Sequence, residues 1–250
     1  GLDLGFLRGE LNVTLDWFQR DTKDMLAPGK ELPSVIGTSA AYGNEGSLRS
    51  RGWELTIDYR HKFGDVNFYS TFNISDYKTK VTQWDSNNLI NSYYTGKEYG
   101  EIWGFETDRY FDFNDFTGKD DAGKWVYASG VADQTKLQKG GFVYGPGDIK
   151  FVDQNGDGVI DWGDGTPENH GDLVKIGNST PRYQYSLRLG AEWRGFDIDL
   201  FMQGVGKRKM WTQSAFVMPM MRGEDAIYAN QTSYITEAMF EAGNIDQSAD

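Results

Sequence analysis

Strict alternation of apolar and polar residues is the feature that most limits how this chain can fold. A period of two places one set of side chains on each face of a β-strand. In residues 10–20, Leu11, Val13, Leu15 and Trp17 share one face and Asn12, Thr14, Asp16 and Phe18 the other. Residues 52–63 repeat the pattern, with Trp53, Leu55, Ile57 and Tyr59 opposite Glu54, Thr56, Asp58 and Arg60. After a turn at Lys62 to Asp65, Val66, Phe68, Phe72 and Ile74 are set against Asn67, Tyr69, Thr71 and Asn73. A second pair follows much later. There Tyr183, Tyr185, Leu187, Leu189 and Ala191 oppose Gln184, Ser186, Arg188 and Glu192, and Phe196, Ile198, Leu200 and Met202 oppose Asp197, Asp199 and Gln203. Two antiparallel hairpins are expected, at about 52–78 and 182–204, with Arg194 and Gly195 turning the second.

The connections are lopsided. Short turns close one end of each hairpin, whereas the other end carries excursions at about 21–50, 79–180 and 205 onward, far beyond the usual ~4–6 residues. Short turns at one end and long loops at the other mark transmembrane barrels, whose strands show lipid and lumen alternate residues. A soluble sandwich shares the period, having one buried and one wet face. The chain has no run of eighteen apolar residues, so no transmembrane helix is expected. Its opening residues, GLDLGFLRGEL, do not read as a signal peptide; one is expected to be absent or already removed.

Composition narrows the class. A formal net charge of −12 over 250 residues, without a basic cluster in the sequence, argues against nucleic acid as a partner. The absence of cysteine excludes disulfides, a thiol nucleophile and a Cys-based zinc site. The 31 Gly, with 15 Phe, 14 Tyr and 8 Trp, fit a turn-rich all-β chain. Only His61 and His170 are present, without a G-x-S-x-G, phosphate-loop or HExxH motif, so no enzyme is expected. His61 is expected on a surface turn.

One segment carries metal-ligand spacing. FVDQNGDGVIDWGD puts Asp153, Asn155, Asp157, Asp161 and Asp164 at positions 1, 3, 5, 9 and 12 of a calcium loop, with Gly158 at the sharp turn and the Val159 carbonyl at position 7. Its flanks are strand-like rather than helical, so a structural calcium clip is expected and a sensor is not. The alternative is a set of Asx turns in which Asp and Asn serve their own backbone. A second segment gathers Trp84, Asp85, Asn87, Asn88, Tyr93 and Tyr94, the aromatic faces and polar edges that recognise sugars or peptides. A polar loop packed by its own aromatics is the competing reading. The Gly-aromatic stretch at 96–113 suggests a small sheet, KDDAGKWVYASG a further turn-rich piece, and the tail from 205 to 250 a loop with one or two short helices.

LNVTLDWFQRDTKDML, NEGSLRSRGWELTIDYR, GEIWGFETDRYF, DIKFVDQNGDGVID and IGNSTPRYQYSLRLGAEWRGFDIDLFMQGVGKR together resemble, in this order, the C-terminal barrel half of the SusC/RagA-like TonB-dependent outer-membrane transporters. The resemblance implies an antiparallel transmembrane segment of a barrel of roughly 22 strands. It divides the chain into barrel strands within 1–204, a long extracellular insertion at about 79–180, and an extracellular loop at 205–250. It further implies a Gram-negative outer-membrane location, coupling to TonB, a SusD-like surface lipoprotein, contact with outer-membrane lipid, and an oligosaccharide or peptide substrate. The plug, the TonB-contacting segment and the closing strands are expected outside this stretch. Asn12, Asp16, Glu54, Asp58, Arg188 and Glu192 would then line a wet lumen. The alternative function is a secreted, calcium-stabilised β-sandwich that binds glycans. Burial of Leu11, Val13, Leu55, Ile57, Leu187, Leu189, Ile198 and Leu200 in a protein core would favour the sandwich, and an outward apolar belt the transporter.

Overall fold

The computed structural model describes residues 1–29, 32–38, 41–85, 88–212 and 228–232. Its elements are antiparallel strands and short 3-10 turns. In chain order the strands are β1 (Leu2–Phe6), β2 (Leu11–Pro28), β3 (Tyr42–Phe63), β4 (Val66–Trp84), β5 (Glu101–Phe105), β6 (Thr107–Tyr110), β7 (Phe116–Lys119), β8 (Trp125–Tyr127), β9 (Ile149–Phe151), β10 (Leu173–Asn178), β11 (Arg182–Trp193) and β12 (Phe196–Lys207). A six-stranded sheet runs β1-β2-β3-β4-β11-β12, and β5 with β10, β6 with β9 and β7 with β8 form two-stranded sheets. The chain divides into two units, Gly1–Ile102 with Gly177–Met210, and Trp103–Ile176 with Trp211–Asp250.

In the first unit the register sorts side chains by row. Leu4, Val13, Ile57, Phe72, Leu187 and Met202 lie side by side across all six strands. Two residues along, Leu2, Leu15, Leu55, Ile74, Tyr185 and Gly204 form the next row of the same face. The intervening row, on the other face, reads Asp3, Thr14, Thr56, Asn73, Ser186 and Gln203. Both expected hairpins are therefore present, and in the expected register. None of Leu11, Val13, Leu55, Ile57, Leu187, Leu189, Ile198 and Leu200 is buried, and Ile198 and Leu200 are 68% and 50% exposed. A sandwich requires such a face to be covered, so the sandwich reading fails here.

Three short turns sit at one end of this sheet. Gly64 and Asp65 join β3 to β4, with Gly64 at φ +61, the glycine-first arrangement of a tight hairpin. Arg194 and Gly195 join β11 to β12, both in the left-handed region at φ 47 and 89, as a type I′ turn demands. The third links β1 to β2 through Leu7–Gly9. Arg194 Nη2 reaches Asp65 Oδ2 at 2.7 Å, tying two of the turns together.

Several boundaries differ from expectation. Strand β2 continues to Pro28 and β3 starts at Tyr42, so the first excursion is far shorter than 21–50. The extension carries charges and a bulge between Thr22 and Met25, with Asp24 at φ 55, which breaks the alternation that would have revealed it. Strand β4 likewise reaches Trp84 and β12 Lys207. Strand β1 was not expected at all; five residues are too few to show a period. His61 lies within β3 rather than at the turn, its ring 4.4 Å from that of Phe63 and its Nδ1 2.7 Å from Glu10 Oε2. The helices expected in the tail fall mainly outside the described residues; within 228–232 the 3-10 turn Ala229–Gln231 is seen.

The second unit has a core of its own. Phe111 and Ile160 are fully buried, with Phe116 and Leu173 nearly so. The rings of Phe111, Phe116 and Tyr127 meet at 5.2–5.7 Å, Phe111 tilted against both partners and Phe116 stacked on Tyr127. Buried Gln134 behaves like a missing strand edge, donating Nε2–H to the Ile149 carbonyl at 3.1 Å and accepting from the Phe151 amide at 2.7 Å.

Candidate functional site

The calcium-spaced loop belongs to the second unit, between β9 and β10. Its first three polar residues close on the backbone. Asp153 accepts from the amides of Gly156 (2.7 Å) and Gly158 (2.8 Å), Asn155 from Asp157 (2.9 Å), and Asp157 from Val159 (2.8 Å). Gly156 and Gly158 sit at φ 74 and 83, which a β-carbon would oppose. After the turn, Ile160 drops into the core and its amide bonds the Asp133 carbonyl at 2.9 Å.

Asp161 and Asp164 face other tasks. Asp161 takes the Lys136 ammonium at 2.5 Å and the Gly163 amide at 2.7 Å, and these partners, Lys136 foremost, hold its carboxyl below the usual range. Asp164 accepts the Thr166 hydroxyl at 2.7 Å. Among the described residues no group of three or more His, Cys, Asp or Glu side chains gathers as a metal site. Asp153, Asn155 and Asp157 are thus brought together in one turn, while Asp161 and Asp164 are engaged elsewhere.

Two residues central to this loop were missed by sequence reasoning. Fully buried Asp172 accepts the amides of Gln154 and Asp161, each at 2.8 Å, and so staples both ends of the loop. Lys136 supplies the cation for Asp161. Neither lies in a recognisable motif, and both reach the loop only through the fold.

The aromatic candidates belong to the first unit. Trp84 packs its ring 5.0 Å from Tyr93, which lies 6.5 Å from Tyr99. Asp85 accepts from Gln83 Nε2 at 2.5 Å. Tyr94 is 6% exposed, with its hydroxyl donating to Glu101. Buried Lys97 donates to the carbonyls of Ile90 (2.6 Å) and Ser92 (2.5 Å) and holds its ammonium over the rings of Tyr93 and Tyr94. Asn88 is exposed, and Asn87 lies outside the described residues. Tyr93 and Tyr94 therefore pack around Lys97 with Trp84 against Tyr93, whereas Asp85 is held by Gln83.

Side-chain hydrogen bonds link neighbouring strands across the polar face of the sheet. Thr56 donates to Asn73 at 2.8 Å, Asn73 to Ser186 at 3.3 Å, and Thr71 to Asp58 at 2.6 Å. Tyr69 reaches across to donate to Asp199 at 2.7 Å, where Arg188 also donates at 2.8 Å. It can do so because Gly190 lies beneath the ring, and a β-carbon there would come within 2.0 Å of Tyr69 Cζ.

No family model matches the chain. TonB-dependent receptor P3 of Formosa agariphila is 26% identical over 218 residues, covering 81% of this chain and 19% of its own length. TonB-dependent receptor P26 of the same organism is 23% identical over 212 residues, with the same coverage. The chain resembles part of a TonB-dependent receptor. It spans about a fifth of the length of these curated relatives. Its fold also matches the RagAB peptide importer in the open-open state, with a TM-score of 0.51 at 19% identity, over 80% of this chain and 19% of that one. The curated relatives are receptors by name.

Proposed function

We propose that this chain is a stretch of the wall of an outer-membrane β-barrel that imports oligosaccharides or peptides, drawing energy through TonB and working with a SusD-like surface lipoprotein. The observation that carries this reading is the apolar face that crosses six strands, unbroken in the row Leu4, Val13, Ile57, Phe72, Leu187 and Met202. From Trp53 to Phe63 the face spans five steps of two residues, which at ~3.4 Å per residue and a tilt of ~45° gives a band ~24 Å tall, close to the ~25 Å of transmembrane barrels. Trp17 and Trp53 edge the band at one end and Phe63, Trp193 and Phe196 at the other, where interfacial aromatics belong. The short turns would lie on the periplasmic side and the long excursions outside. The hydrogen-bonded polar face would line the lumen. An open sheet edge is not viable in lipid, so β1 and β12 would be flanked by further strands of a closed barrel of about 22.

Asn88, with Trp84, Asp85, Tyr93 and Tyr94 behind it, remains the proposed place for substrate contact in the excursion after β4. Calcium is proposed as a structural ion at Asp153, Asn155, Asp157 and the Val159 carbonyl, completed by Asp161 and Asp164. Binding would have to draw Asp161 from Lys136, so Lys136→Ala should tighten calcium and Asp157→Ala abolish it. Calorimetry on the full-length protein checks both; no heat at millimolar calcium leaves the Asx turns alone as the loop's structure.

The membrane reading is tested by fractionation. Recovery of the full-length protein with the outer membrane, protease-protected at 53–63 and 183–193, supports it. Recovery as a water-soluble protein contradicts it.

A further inference from the structure

Just beyond the Trp17 and Trp53 edge of the apolar band, the same sheet face becomes cationic. The next two rows are Gln19, Arg51 and Lys78, then Asp21, Arg49 and Lys80. Arg49, Arg51, Lys78 and Lys80, with the two tryptophans, line an open cleft of about 470 Å³. Arg51 is held by Gln19 (Nε to Oε1, 2.8 Å) and Arg49 by Asp21 (Nε to Oδ1, 2.5 Å). Lys78 lies 3.4 Å from Glu98. Beneath them Asp76 and Arg182 form a bidentate pair that is already neutral. Four cations therefore meet two carboxylates, Asp21 and Glu98, and a positive excess remains on a chain whose net charge is −12. Such a chain has no general surplus of cations to scatter there. Both arginines are fixed through Nε, which leaves their terminal nitrogens, the pair best suited to a bidentate oxyanion, for another partner.

We propose that this cleft binds the phosphate of an outer-leaflet lipid, with the acyl chains lying against the apolar rows and Trp17 and Trp53 at the boundary. The proposal rests on the membrane reading above. Charge complementarity selects the headgroup, and the position of the cleft, one row above the aromatic edge, selects a lipid over a soluble anion. Arg49, Arg51, Lys78 and Lys80 would take the phosphate oxygens. Bound lipid would seal the outer rim of the wall where β2, β3 and β4 leave the bilayer.

The full-length protein and an Arg49→Gln, Arg51→Gln, Lys78→Gln, Lys80→Gln variant are inserted into vesicles of phosphatidylcholine doped with a lipid bearing a phosphomonoester. They are then extracted, and retained lipid is measured by native mass spectrometry, with heat-modifiable migration reporting barrel assembly. Each cation near a charged lipid surface is worth about fivefold, so an assembled variant should retain the doped lipid at least about tenfold less. Lys62→Gln, at the other end of the sheet, should retain it as the parent does. If the fourfold variant does not assemble, the Arg51→Gln, Lys78→Gln pair carries the comparison. Equal retention by an assembled variant overturns the site, and full displacement by millimolar inorganic phosphate overturns the lipid as its occupant. Failure of the parent to insert overturns the membrane reading and this proposal with it.

Discussion

The two units solve the problem of burial in opposite ways. The second encloses Phe111, Ile160 and Leu173 and packs rings around them, as a water-soluble fold does. The first spreads its largest hydrophobic side chains along one exposed face, and among the described residues its buried hydrophobic ones, Ala27, Val81, Ile90 and Tyr94, lie at the end that carries the excursions. An uncovered apolar face that size is unstable in water but suits lipid. The contrast teaches that hydrophobic content alone does not place a β-chain; what matters is whether its apolar rows are covered.

Perturbations should therefore respond to different solvents. The largest expected effect is Phe111→Ala, which empties the centre of the second unit at a cost of about 3–5 kcal/mol. Hydrogen exchange in the full-length protein should show that unit opening while strands β3, β4 and β11 stay protected. Next is Leu187→Arg, which should cost about 2–4 kcal/mol of insertion if the residue sits near the bilayer midplane. Unchanged refolding into lipid would break the comparison. Gly190→Ala should follow at about 1–3 kcal/mol, because the new methyl group meets the Tyr69 ring; combined with Tyr69→Phe, which keeps the ring, it should regain little, and combined with Tyr69→Ala it should cost less than the two single changes summed.

Acid should act on the second unit through Asp115. This nearly buried carboxylate would be raised by burial, but the Arg109 guanidinium at 2.6 and 2.7 Å, the Asp112 amide and Lys150 at 3.1 Å outweigh that and bring it to about 2. A depressed carboxylate stabilises the fold above its unfolded pKa of 3.8 and loses that contribution as pH falls through about 2, here ~2 kcal/mol. Asp148 has the opposite sign. Burial raises its carboxyl, only partly offset by the Gly145 amide, so Asp148→Asn should stabilise the unit at neutral pH whereas Asp115→Asn destabilises it. Proteolysis of the excursion at pH 7 and pH 3 checks both. The smallest effect is Arg194→Ala, since its partner Asp65 is equally exposed and the pair is worth at most about 1 kcal/mol.

The sheet was legible in the sequence wherever alternation was uninterrupted. Leu187, Leu189, Ile198 and Leu200 fell on the expected face because a period of two leaves no other register. Legibility ended at the bulge near Asp24 and in the charged continuations of β2 and β4, where polar side chains stand on both faces and the pattern vanishes. The loop at 153–164 was legible as a turn-former. Its partners were not, because Lys136 and Asp172 are brought to it by tertiary packing, and the commitment of Asp161 to Lys136 follows no local rule. The knot around Lys97 was similarly hidden, since Trp84, Tyr93 and Tyr94 read equally well as a binding edge or as packing.

The central claim is that the apolar face of the six-stranded sheet meets lipid and the opposite face meets water. This stretch has no cysteine, so single Cys substitutions at 186, 187, 188, 198, 199 and 200 can carry nitroxide labels in the full-length protein reconstituted in vesicles. The account predicts labels at 187, 198 and 200 relaxed by oxygen dissolved in the bilayer, and labels at 186, 188 and 199 relaxed by a water-soluble nickel chelate. Reversal of that alternation, or six labels all reached by the chelate alone, would contradict it.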